Sequence, residues 1–520
     1  MTDTPQMNGA ESLVHTLIDS GVEVCFTNPG TSEMHFVAAL DHIAGMRCVL
    51  ALQEGVATGA ADGYWRMARK PASTLLHLGP GLANGLSNLH NAKKAGSGVV
   101  NIIGEHAASH IELDAPLTAD IEGIARPMSH WVRTSPSAET VGKDAAEAVQ
   151  AAQVAPGQIV SLILPSDTAW NTGGVVHPPL PVPSAQPFAE DMLDAAARAL
   201  SGPDSLLLLG GGALTEANLQ IAGRIAAKTG CKLLSEWSNA RLERGAGRVF
   251  IGKVPYPIDM ALETLKPYKR IVLIGARAPI GFFAYPGKPA VLTDPDADIL
   301  TLAPAGTNID AALSALCEAS GATDTPPAHV AEAALPDRPE GPITLDSLAA
   351  QIARAIPENG IVMDESVTTG RAFFPVTKGA AQHTWLNNTG GSIGYCLPAA
   401  IGAAIACPDR KVLALTGDGS AMYTVQSLWT MAREKLDITI LVFANHSYQI
   451  LRGELTNVGV GNPGPRAIDM LSLDRPALDW VQMARSMGVD AQSATSCEDL
   501  EAALQDGLAH DGPFLIEVAL

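Results

Sequence analysis

The chain has 520 residues and a mass of 54.0 kDa, too much for one hydrophobic core and enough for roughly two to four domains. Hydrophobic residues make up 47% and charged ones 17%, a balance that excludes a largely disordered chain. Acidic residues exceed basic ones by 54 to 34, a net charge of −20, and that field repels nucleic-acid backbones and anionic membranes while leaving room for an anionic ligand held locally.

The first segment, MTDTPQMNGAESLV, has neither a basic nor an apolar leader region, so no secretory signal is expected. GAESLVHTLIDSG reads as an amphipathic helix, with Leu13, Leu17 and Ile18 on one face and Gly21 as its stop. Strand candidates EVCFT, RCVLAL, STLLHL, GVVNIIG and QIVSLIL follow, separated by helical patterns. The proline-rich stretch VVHPPLPVPSAQP then breaks the pattern. The middle third repeats it with SLLLLG, CKLLSE, RIVLIG and AVLTD. A second break runs through Pro326, Pro327, Pro336, Pro339 and Pro342, and the last third carries GIVMDE, KVLALTG, ITILVFAN and PFLIEVAL.

Continuous β-branched runs between helices indicate parallel sheets covered on both faces. The expected fold is α/β, with three doubly wound parallel-sheet domains in series over 1–180, 188–325 and 343–520. No apolar run approaches the ~20 residues of a membrane helix. Seven scattered cysteines without a CxxC pair read as reduced core thiols, hence a cytoplasmic protein.

The segment KVLALTGDGSAMYTVQSLWTMAREKLDITILVFANHSYQIL is the most informative. A strand over Lys411–Thr416 runs into Gly417-Asp418-Gly419-Ser420, then a helix, then a strand ending at Asn445. Parallel strands present ligand groups at their C-terminal ends. One carboxylate (Asp418), one amide oxygen (Asn445) and the Ser447 carbonyl form a hard-oxygen set suited to Mg²⁺, with places left for phosphate oxygens. The glycines let the backbone approach a diphosphate, and a helix start after Ser420 would offer it N–H groups. A GDG turn alone is ordinary turn chemistry; the 27-residue step from Asp418 to Asn445 is far more specific.

This pattern resembles the thiamine diphosphate (ThDP) signature, GDG followed by about 25 residues and then Asn. Family members usually carry a second Asn where this chain has His446. The resemblance implies pyrimidine-binding, central and diphosphate-binding domains in that order. It implies that NNTGGSIGYCLPAAIGAAIA seats the aminopyrimidine, with the Gly391 carbonyl accepting from its amine, Ser392 beside it and Ile393 under the bent cofactor. Thr368 and Thr369 of DESVTTGR, together with Tyr448, belong to the diphosphate side. Glu54 in VLALQEGVATGAADGYWRMARKPA stands where the family keeps the carboxyl group that activates the thiazolium carbon. Family sites form between the first domain of one subunit and the third domain of another, which implies a homodimer or homotetramer.

Within the family, the chain resembles benzoylformate decarboxylases and acetolactate-synthase-like large subunits. Asn28-Pro29-Gly30-Thr31 and ALQE…LHLGPG match the former, placing Thr31 near a substrate carboxylate and His77 as a proton-transfer residue. The second histidine those enzymes take from the middle domain has no counterpart, and GARAPIGFFAYPGKP offers Phe282 and Phe283 instead. DAPLTADIEGIARPMSHWV follows the acetolactate synthase segment in frame, but Pro116, Leu117 and His130 replace its Phe, Gln and Lys. Arg277-Ala278-Pro279-Ile280 replaces its arginine-bearing middle motif, which disfavours FAD. Gly210-Gly211-Gly212 departs from GxGxxG at Thr215 and reads as an unliganded turn. The expected activity is Mg²⁺- and ThDP-dependent decarboxylation or carboligation of 2-oxo acids, with aldehydes as further partners. The alternatives are an acyloin or 2-hydroxyacyl lyase and a non-catalytic ThDP-binding protein.

Overall fold

Leucine- and β-branched-rich runs bury both faces of a strand, and in the computed structural model, which describes residues 6–520, they assemble into three sheets. The first contains β1 (Val24–Asn28), β2 (Arg47–Leu50), β3 (Ala72–Leu76), β4 (Val99–Glu105), β5 (Trp131–Thr134) and β6 (Ile159–Pro165). Its order is β2-β1-β3-β4-β6-β5, parallel throughout. The middle segment supplies β7 (Ser205–Leu209), β8 (Lys232–Ser235), β9 (Leu242–Arg244), β10 (Gly252–Lys253), β11 (Arg270–Ile274) and β12 (Asp298–Ala303). All but β9 form a parallel sheet of order β10-β8-β7-β11-β12. The last segment adds β13 (Gly360–Glu365), β14 (His383–Asn387), β15 (Val412–Gly417), β16 (Ile438–Ala444), β17 (Asp490–Ala494) and β18 (Phe514–Ala519). The third sheet runs β17-β18-β16-β15-β13-β14-β9.

Several details differ from the sequence reading. AVLTD is not a strand: Pro289 and Pro295 bracket it, and Val291 makes only an isolated bridge with Ile280. DILTLA forms β12 in its place. The short polar-containing strands β5, β14 and β17 carry too little apolar pattern to be read beforehand. The middle segment is also not self-contained, because β9 crosses to pair antiparallel with β14. Both proline-rich stretches lack helices and regular strands.

One apolar core runs continuously through the first and third sheets. At its centre helix Glu54–Ala68 meets helix Cys396–Ala406, where Gly59, Ala60 and Gly63 lie against Pro398, Ala399 and Gly402. Small residues on both helices permit this approach. Beside them Arg66, fully buried, forms a bidentate pair with Asp62 at 2.8 and 2.7 Å. It also donates to the carbonyls of Asn387 and Ala240 and stacks over the Tyr395 ring, so one guanidinium ties all three segments together.

No helix among the described residues is long and apolar enough to cross a membrane. The cysteines are unpaired; five are buried, but Cys48 is exposed and Cys407 half-buried, against the core-thiol expectation for those two.

Candidate active site

Sheet topology decides where polar groups can converge. In the first sheet the chain passes from β1 to β2 on one side and β3 on the other; in the third it passes from β13 to β14 and β15. The crevices outside the carboxyl ends at these reversals are where open α/β sheets bind ligands.

In the third sheet β15 delivers Asp418 and the neighbouring β16 delivers Asn445. Asp418 is 2% exposed, and its two oxygens accept the backbone N–H groups of Gly419 (2.8 Å) and His446 (2.7 Å). The 27-residue step in sequence is thereby closed to a single hydrogen bond. Burial pushes the Asp418 carboxyl up from its ordinary range, against the pull of those N–H groups. Asn445 Oδ1 accepts the Ser447 N–H at 3.0 Å, and the following turn is held by Leu473 N–H to His446 O and Tyr448 N–H to Leu471 O. His446 adopts a left-handed φ of 50°. Asn enters that region more readily than most residues and His does so too, which accounts physically for a second Asn being replaceable here.

A side chain at Gly417 would meet open space, whereas Gly419 backs onto the Tyr448 ring. The oxygens of Asp418, Asn445 and the Ser447 backbone form a set suited to a small hard cation, beside an open cradle at Gly417 for phosphate. The helix start differs from expectation. It falls at Asp418 rather than after Ser420, and Asp418–Ala421 is a single turn. Thr368 and Thr369 lie in the turn after β13, which passes through a left-handed Val367 (φ 48°); Thr369 is buried. Neither hydroxyl makes a hydrogen bond among the described residues.

The segment Asn388–Tyr395 is the expected pyrimidine seat. Gly391 takes φ 81°, a conformation that favours glycine, and a Cβ there would lie 2.8 Å from the tip of the Phe282 ring. The middle domain thus reaches the expected seat through Phe282. Asn388 Oδ1 accepts the N–H groups of Gly390 (3.0 Å) and Gly391 (2.9 Å), and its amide donates to the Ser392 carbonyl (2.6 Å). Ile393 is half-buried.

Helix Leu78–Ala95 of the first domain completes the seat. Asn84, Asn88 and Asn91 recur at helical spacing on one face. Asn91 holds Ser392 through both its N–H and its carbonyl (3.2 and 2.8 Å). Asn88 donates to the carbonyls of Gly55 (2.9 Å) and Gly394 (3.3 Å), joining the start of the Glu54 helix to the seat. Asn84 donates to Glu54 Oε2 at 3.0 Å. Glu54 itself is the first residue of its helix and is 8% exposed.

Across the first-sheet crevice, His77 follows β3 and packs on Gly30, where any Cβ would collide with the imidazole. His77 Nδ1 lies 2.9 Å from Oε2 of Glu33, whose side chain is fully buried. Glu33 also accepts from Gly30 N–H (2.7 Å) and Ser32 Oγ (2.6 Å). With Nδ1 donating to Glu33, Nε2 is the ring nitrogen left for a substrate. Leu78, next in sequence, is forced to φ 47°. Thr31 is exposed at the rim, one residue from both Gly30 and Ser32.

These features have relatives. Residues 7–124 match the family model described as thiamine pyrophosphate enzyme, N-terminal TPP binding domain, and residues 367–518 match the corresponding C-terminal TPP binding domain. A Mycobacterium tuberculosis protein, IlvX, provisionally named as an acetolactate synthase large subunit, is 47% identical over 99% of both chains. The chain belongs to the thiamine pyrophosphate enzyme family. It is also similar to Pseudomonas aeruginosa benzoylformate decarboxylase, at 29% identity over 96% of each chain. The solved structure of a Rhodococcus jostii thiamine diphosphate-dependent 4-hydroxybenzoylformate decarboxylase superposes with a TM-score of 0.85 at 25% identity, covering 99% of both chains.

Five supporting residues escaped the sequence reading: Glu33, Asn84, Asn88, Asn91 and Asn388. The asparagine stripe was the signal for three of them, since amides repeating at helical spacing on a buried face need partners. At the middle-sheet edge, a cavity of about 520 Å³ is lined by residues including Lys94, Gly211, Glu236, Trp237, Tyr256 and Phe282. The turn at Gly210 packs against the Gly275 carbonyl and Glu236.

Proposed function

We propose that this thiamine pyrophosphate enzyme uses Mg²⁺ and acts on 2-oxo acids as a decarboxylase or carboligase. The single observation carrying the reading is the closure of Asp418 onto the Asn445–Ser447 turn, which gathers their oxygens at one strand edge. Asp418, Asn445 and the Ser447 carbonyl would hold the metal, and Gly417, Gly419, Ser420, Thr368, Thr369 and Tyr448 would surround the diphosphate. Gly391, Ser392 and Ile393 would receive the aminopyrimidine. Bound there, the cofactor supplies an electron sink for breaking a bond beside a carbonyl.

The chain's own residues perform the remainder. Glu54 holds a proton at the pyrimidine, steadied by Asn84. Thr31 orients the substrate carboxylate, and His77, fixed by Glu33, carries protons at Nε2. Phe282 of the middle domain lies against Gly391 at the rim of the seat. The chemistry of Arg277-Ala278-Pro279-Ile280 argues against FAD. The three domains would serve pyrimidine binding (1–180), spacing (188–325) and diphosphate binding (343–520).

We also infer a cytoplasmic homodimer or homotetramer. Leu52 beside Glu54, and Tyr423, Leu451 and Met470 around the metal edge, are exposed apolar groups that a second copy would cover. The middle segment offers Phe282 and Phe283, which carry no proton, and no histidine counterpart, and this favours the lyase as second reading. Incubation with pyruvate, benzoylformate and small aldehydes, with ThDP and Mg²⁺, separates the two. CO₂ release from a 2-oxo acid supports the first reading; acyloin cleavage without any CO₂ supports the second.

A further inference from the structure

Glu365 ends β13, is 4% exposed and belongs to none of the roles above. Its Oε1 accepts the Tyr395 N–H (3.1 Å) and the Asn388 amide (3.3 Å), and its Oε2 accepts the Cys396 N–H (3.1 Å). One carboxylate therefore grips the pyrimidine seat at both ends: at Asn388, which orders Gly390 to Ser392, and at the start of helix Cys396–Ala406.

The surrounding charges offer no neutralising partner. On β13, Asp364 is turned away to Ser366, Trp385 and Asn387. On the helix, the Tyr395 hydroxyl and Cys396 thiol are kept neutral by burial. Arg66 of helix Glu54–Ala68, which stacks on Tyr395, is already paired with Asp62, and Arg244 and Lys253 of the middle segment act on Asp364 rather than on Glu365. Burial raises the Glu365 carboxyl to about 7, the N–H donors opposing that rise.

We propose that Glu365 is a positioning residue for the cofactor, and that its ionised carboxylate holds Asn388–Tyr395 in the shape that receives the pyrimidine. This rests on the reading of Gly391–Ile393 as the seat. A protonated Glu365 has a hydroxyl facing N–H donors and loses at least one of the three contacts. Cofactor binding then favours the ionised form and releases the proton to solvent. The sign follows: affinity is full above a pH of about 7 and falls as the pH drops through it.

The test titrates ThDP with saturating Mg²⁺ into wild-type protein, Glu365→Gln and Asn388→Ala between pH ~6 and ~8, reading tryptophan fluorescence and calorimetric heat. Wild-type affinity should fall about 3- to 10-fold toward the acid end. Glu365→Gln should bind more weakly at pH 8 and lose that part of the pH dependence; the cofactor's own phosphate ionisation is common to both proteins and cancels. Asn388→Ala removes one donor, so its midpoint should move to higher pH, a readout that remains if Glu365→Gln does not fold. Identical pH profiles in wild type and Glu365→Gln, or an unmoved midpoint in Asn388→Ala, would overturn the proposal. Failure of the wild type to bind ThDP at any pH would instead overturn the seat itself.

Discussion

The two halves of the proposed cofactor site are built in opposite ways. The proposed metal edge is local: strand, turn, helix and strand lie within one run of sequence, and one hydrogen bond from His446 N–H to Asp418 closes it. The proposed pyrimidine seat is assembled from afar, with Asn91 reaching Ser392 across 301 positions and Asn88 reaching Gly394 across 306. A local site tolerates changes elsewhere in the chain, whereas a distributed one depends on the packing that brings its parts together. Arg66 and the glycine-rich helix contact perform that service here.

Substitutions on each side should therefore separate chemistry from binding. The largest effect belongs to Glu54→Gln. ThDP should bind with little loss while turnover falls roughly 10²- to 10⁴-fold, the range for removing a positioned proton-transfer group. Stopped turnover assays beside cofactor titrations check it, and near-normal turnover would remove Glu54 from its role. Asp418→Ala should weaken Mg²⁺-dependent cofactor binding by about 100-fold or more, since loss of even an outer-shell partner of a metal costs about 10- to 100-fold. Unchanged affinity in the same titration would place the metal elsewhere. Glu33→Gln frees His77 Nδ1 from its charged partner, so kcat should fall about 10- to 100-fold while cofactor affinity holds. A matching loss of affinity would mean that Glu33 supports the fold rather than the histidine.

The same contrast explains what the sequence disclosed. Asp418 and Asn445 could be paired in advance because a βαβ unit puts both strand ends on one edge, whatever surrounds it. Strands β1 to β4, β13, β15 and β16 were legible because their apolar runs are continuous. β9 was not, since three residues joining a sheet from another segment leave no periodic trace. Glu33 carries no signal in the sequence: it is the third residue of a short turn, and only the approach of β3 brings His77 onto it. Glu365 escaped for the same reason: its partners lie about 30 residues on, beyond a strand and a loop.

The smallest expected effect tests the distributed side most directly. Asn91→Ala removes two hydrogen bonds to Ser392, one given and one received, and leaves the Ser392 backbone partly unsatisfied in a crowded setting. Each such bond contributes about 1 kcal/mol net, and Asn388 still donates to the Ser392 carbonyl, so only part of the sum should be felt. ThDP affinity should weaken about 5- to 10-fold, with Mg²⁺ dependence and turnover of the loaded enzyme unaltered. Asn91→Asp sharpens the reading, because it keeps the acceptor for Ser392 N–H and turns the donor into a second acceptor facing a carbonyl. Its affinity should fall at least as far as that of the alanine variant. Were the aspartate variant to bind as well as wild type, the helix face would be a packing surface, and the seat would be as local as the metal edge.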